Sequence, residues 1–132
     1  MLRLAVGTFD VTLEPAAPAD AAAGSTLGRM SIDKRFQGDL AGTSKGEMLS
    51  ALTDTKGSAG YVAIERVSAT LHGRVGTFVF QHSGTMTRGA QQLSVTVVPD
   101  SGTGELAGLA GNFRIIIEGK VHRYEFEYAL PV

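Results

Sequence analysis

The stretch GTGELAGLAG, Gly102 to Gly111, stands between two runs of strand-forming residues: Leu93-Ser94-Val95-Thr96-Val97-Val98 before it and Phe113-Arg114-Ile115-Ile116-Ile117 after it. Glycine tolerates positive φ and close backbone approach, so Gly102, Gly104, Gly108 and Gly111 predict a compact corner between strands. Gly102, Gly104 and Ala107 also fit the dinucleotide pattern G-x-G-x-x-A, but that site needs a helix after the glycines, and the residues that follow here are β-branched and aromatic. No G-x-x-x-x-G-K-[ST] phosphate loop occurs. The corner therefore points to an antiparallel, all-β chain.

Composition agrees. The 132 residues fit one domain, 1–132, and include 17 glycines, 6 phenylalanines and 3 tyrosines, but no tryptophan. A net charge of −1 with dispersed basic residues lacks the footprint of a nucleic-acid or anionic-membrane binder. The absence of cysteine excludes disulfides, thiol catalysis and thiolate-held metal, and fits a reducing compartment. With no basic-then-apolar leader and no apolar run approaching the roughly 18 residues of a membrane span, a cytoplasmic location is expected.

Leu4 to Leu13 read as a first strand, and the Pro- and Ala-rich segment Glu14 to Gly24 as one long loop. The remainder resolves into hairpins with Gly-X turns. A Gly73-Arg74 loop would set Glu65 opposite His82 and Val67 opposite Phe80. A Gly89-Ala90 loop would set His82 opposite Val97. A Gly119-Lys120 loop pairs Ile117 with His122, Ile115 with Tyr124 and Phe113 with Phe126, leaving Arg114 with Glu125 on the other face. An Ala41-Gly42 turn would pair Phe36 with Glu47 and Lys34 with Leu49. About eight such strands close most economically into a barrel, which removes exposed edges and leaves room for side chains or one small ligand.

On the face assigned inward lie Lys34, Glu47, Glu65, His82 and His122, among Phe36, Tyr61, Phe78, Phe80, Tyr124, Phe126 and Tyr128. Burying ionisable groups is costly unless they are paired, so they are explained either by a binding cavity or by structural pairs, Lys34 with Glu47 and Glu65 with His82. A carboxylate beside an imidazole fixes its tautomer, as acid/base catalysis requires, and this makes Glu65 and His82 catalytic candidates, with Tyr124 as a hydrogen-bond donor to a developing oxyanion. The remaining inward residues are candidate ligand contacts. His72 flanks a turn and is expected to be solvated. With no G-x-S-x-G elbow and no H-E-x-x-H spacing, neither acyl-enzyme chemistry, nor a metal, nor any other cofactor is expected.

The segments Phe36 to Leu49, Gly57 to Met86, Ser101 to Gly111 and His122 to Leu130 resemble a bacterial family known only as a domain of unknown function, whose members look like allene oxide cyclase barrels. The glycine corner is also similar to that of plant allene oxide cyclases and dirigent proteins. The resemblance implies an eight-stranded antiparallel barrel, allene oxide cyclase-like or lipocalin-like, that encloses apolar small molecules and assembles as a trimer or dimer. Ile64, Val79 and Ile116 on the outer face fit self-association. Three readings follow: a barrel binding an apolar small molecule, a cofactor-independent isomerase or cyclase acting by proton transfer, and a structural oligomer with a filled lumen.

Overall fold

The computed structural model describes residues 2–131. Its strands are β1 (Arg3–Pro15), β2 (Asp20–Ala22), β3 (Ser25–Gly38), β4 (Leu40–Thr53), β5 (Ala59–Leu71), β6 (Arg74–Thr87), β7 (Ala90–Val97), β8 (Ala110–Glu118) and β9 (Val121–Ala129). All neighbours run antiparallel, and β1 closes the barrel by pairing with β9 on one side and β3 on the other. Eight strands form the wall; β2 is a short flap paired only with β3. The long loop expected from Glu14 is thus shorter than the sequence suggested. β1 runs on through Pro15 because Pro15 still finds a partner in Met30.

Two hairpins turn one residue earlier than Gly-X spacing predicts. The central residues are His72-Gly73 (φ 46° and 83°) and Arg88-Gly89 (φ 47° and 94°). Positive φ at both positions is the type I′ geometry, whose twist matches that of paired strands, so a non-glycine residue accepts the left-handed conformation. The partner strand shifts by two residues: Glu65 faces Phe80, His82 faces Ala63 on one side and Val95 on the other, and Val97 faces Phe80. An even shift preserves side-chain parity, so the inward assignments of β5 and β6 stand. The β8–β9 hairpin has the expected register, Ile117 opposite His122 through Phe113 opposite Phe126.

The β3–β4 turn differs by an odd number. The chain reverses at Asp39, Phe36 faces Gly42, and Lys34 faces Ser44. β4 is therefore turned over, which places Glu47 outside, where Arg29 Nε meets it at 2.6 Å. Long-range contacts set this turn. The Asp39 carboxylate accepts the Val6 N–H at 2.9 Å, and the Tyr124 hydroxyl accepts the Leu40 N–H at 2.9 Å.

Side chains fill one end of the barrel. Phe9, Phe36, Phe78, Phe80, Phe113 and Phe126 pack with Tyr124 and Tyr128, with ring centroids as close as 4.8 Å for Phe80 and Phe113. Leu40 and Leu71 close this base, with Leu106 and Leu109 from the glycine corner. The corner is a short 3₁₀ turn, Gly104–Leu106, that carries those leucines in. Gly104 (φ 59°) and Gly108 (φ 81°) need their glycines, and a Cβ on Gly108 would lie 2.4 Å from Pro131 Cγ.

Candidate functional site

The opposite end is open. Leu13, Leu52, Leu93 and Ile117 occupy inward-facing register positions, yet their exposures are 43%, 58%, 46% and 65%. An apolar rim around a concave mouth is what a small-molecule site requires, and it contrasts with the base, where inward residues are sealed. A cleft of about 310 Å³ opens here, walled by Met48, Leu52, Tyr61, Met86 and Leu93 with Ser50, Gln91 and Gln92.

Beneath the cleft lies a polar cluster contributed by four adjacent strands. Glu65 on β5 is wholly buried, and its Oε2 accepts from Lys34 Nζ of β3 at 2.8 Å and from His82 Nε2 of β6 at 2.6 Å. Its Oε1 accepts from Ser44 Oγ of β4 at 2.8 Å. Small neighbours make the space. Gly46 lies opposite Glu65, where a Cβ would come within 2.8 Å of that of Glu65, and Ala63 lies opposite His82. The Lys34 ammonium also sits 5.0 Å from the centre of the Phe9 ring. Among the described residues, no buried side-chain nitrogen or oxygen lacks a partner.

Burial raises the Glu65 pKa, but the His82 hydrogen bond and the charge and hydrogen bond of Lys34 outweigh it and hold the carboxyl at about 2. An ionised carboxylate only accepts, so His82 Nε2 carries a proton. In the neutral imidazole Nδ1 is then an acceptor, and the Tyr61 hydroxyl lies 3.2 Å from it. Burial, and then the Glu65 charge, push the Tyr61 pKa up, which keeps this phenol protonated. Its ring rests on Gly84, where a Cβ would stand 2.5 Å from Cε1. Tyr61 is thus the only member of the chain Lys34–Glu65–His82–Tyr61 that also lines the cleft.

The expected contact of Glu65 with His82 is present, reached diagonally rather than across a direct pair. Lys34, expected to pair with Glu47, pairs with Glu65 instead, and Glu47 pairs with Arg29. Tyr124 does not: its hydroxyl is engaged by main chain, lying 2.9 Å from both the Gln37 and Leu40 carbonyls. Phe36, Phe78, Phe80, Phe126 and Tyr128 belong to the packed base, and none of them lines the cleft. His122 is half-buried against Phe9, with ring centres 5.2 Å apart. His72 is not simply solvated; it meets the Tyr128 hydroxyl through Nδ1 and lies 3.5 Å from Asp39 Oδ2. Ser44 was missed because its inward position depends on the displaced β3–β4 turn. The alternation of small residues at Gly42, Ser44 and Gly46 was the available signal. Among the described residues, no group of three or more His, Cys, Asp or Glu side chains could hold a metal ion, and no helix is long and apolar enough to cross a membrane.

Residues 5–128 match DUF3224, a family of proteins of unknown function. The chain belongs to this family. It is also similar to a crystal structure of a DUF3224 protein of unknown function from Shewanella oneidensis MR-1, with 51% identity over 100% of this chain and 99% of that one, and a TM-score of 0.95. A search of curated proteins finds no match.

Proposed function

We propose that this DUF3224 protein binds an apolar small molecule in the mouth of its barrel. The observation that carries the reading is the set of inward-facing apolar side chains left exposed at one end only, above a cleft of about 310 Å³. The resemblance to allene oxide cyclase barrels supports the same habit. A neutral apolar dye such as N-phenylnaphthylamine is expected to show saturable fluorescence enhancement with the wild-type protein. Ala59→Trp, which places a large ring among Leu52, Tyr61 and Met86, should abolish the enhancement while leaving the circular dichroism unchanged. Equal enhancement in both proteins would overturn the reading.

The hydrogen-bonded sequence Tyr61–His82–Glu65 favours a second reading, proton transfer on a bound substrate in an isomerase or cyclase, with Tyr61 as the group that touches it. Turnover abolished in Tyr61→Phe with binding retained would distinguish catalysis from storage. Leu49, Val62 and Ile64, exposed side by side on the outer face, support self-association, which native mass spectrometry would test.

A further inference from the structure

We infer that the mouth selects a neutral ligand whose polar end donates a hydrogen bond, an alcohol, phenol or N–H group, over one ending in a carbonyl, ether or carboxylate. The inference rests on the binding reading above and on where the protons of the polar cluster lie.

The Glu65 carboxylate can only accept, and it receives three donors: Lys34 Nζ at 2.8 Å, Ser44 Oγ at 2.8 Å and His82 Nε2 at 2.6 Å. With the Nε2 proton fixed in this way, Nδ1 of the neutral imidazole presents a lone pair, and the single Tyr61 O–H proton is directed to it across 3.2 Å. A phenol has one proton. Once that proton is turned inward, the Tyr61 oxygen faces the cleft as an acceptor. Lys34 balances the charge of Glu65, so the sealed cluster is neutral with the imidazole neutral and offers an anionic head group nothing to pair with. Among the other cleft residues, Ser50 lies opposite Tyr61 and Gln91 and Gln92 lie nearer the rim, and their side chains rotate to suit either kind of partner. Discrimination therefore falls to Tyr61, whose ring is held in place by Gly84.

Three probes of nearly one shape test this: para-hexylphenol, para-hexylanisole and para-hexylbenzoate, titrated by isothermal calorimetry into the wild-type protein and into Tyr61→Phe. The wild type should bind the phenol about fivefold to tenfold more tightly than the anisole, the worth of one neutral hydrogen bond, and the benzoate weakest of all. Tyr61→Phe should bind the anisole unchanged and lose the preference for the phenol. Equal affinities for phenol and anisole in the wild type, or tightest binding of the benzoate, would overturn the selection rule while leaving the binding reading intact. Failure of all three probes, together with failure of the fluorescent dye, would remove both. The nitrogen chemical shifts of His82 add a readout independent of ligand, because Tyr61→Phe should move Nδ1 and leave Nε2 bonded to Glu65; a phenol that binds without altering the Nδ1 signal supports the assignment, and one that protonates Nδ1 refutes it.

Discussion

The two ends of the barrel are built from the same alternation of inward and outward residues, yet one end is closed and the other is not. At the base aromatic rings pack face and edge around small inward residues such as Gly42, Ala69 and Gly76, and Leu106 and Leu109 fill the remaining opening. At the mouth the inward positions carry Ser50, Gly84, Met48, Met86 and Tyr61, and the leucines of the rim, Leu13, Leu52 and Leu93, stay exposed. Parity alone therefore decides which face a residue occupies, and side-chain volume along that face decides whether the lumen is core or cavity.

Truncation should expose the contrast most strongly. Phe80→Ala at the base, where the ring touches Phe78, Phe113 and Phe126, is expected to cost about 3–5 kcal/mol in urea unfolding. A cost below about 1 kcal/mol would show that the base is not close-packed. Glu65→Gln tests the boundary between the two ends, because it leaves the Lys34 ammonium buried beside a neutral amide; a loss of about 3–5 kcal/mol is expected. Adding Lys34→Met to Glu65→Gln should restore much of it.

The boundary also has a pH signature. The Glu65 carboxyl is held at about 2 in the fold against 4.5 for the unperturbed group, so its contribution is complete above pH 4.5 and is lost as the pH falls from there toward 2. The amount is about 3 kcal/mol, read as the difference between acid titrations of stability for the wild type and the Lys34→Met, Glu65→Gln double variant. Identical titrations would remove Glu65 from the account. The smallest effect belongs to the rim: Leu93→Ser should change stability by less than about 0.5 kcal/mol while weakening dye binding.

Much of this architecture can be read from the sequence where local rules govern. The parity of β5, β6, β8 and β9 follows from short hairpins, and even the misplaced turns at His72 and Arg88 keep Glu65, His82 and Tyr61 inside, because a shift of two residues changes partners without changing faces. The β3–β4 register could not be read in this way. It is fixed by Tyr124 and Val6, which approach from 84 and 33 residues away, and no local pattern around Ala41 and Gly42 reports them. Glu47 was lost from the site and Ser44 gained for the same reason. Inward aromatics could be recognised as inward, but not sorted into base and mouth, since that depends on where the corner leucines enter.

One side of the wall is made differently from the others. β7 and β8 are joined through a single bridge pair, Thr96 with Asn112, whereas β3 with β4 and β5 with β6 are zipped along nearly their whole lengths. A cylinder laced everywhere except along one line has its elastic compliance concentrated on that line, and its girth can change there without breaking the main-chain bonds of any other pair. Leu93 and Ile117 flank that line at the rim, so the seam with the fewest main-chain bonds is the one that borders the mouth.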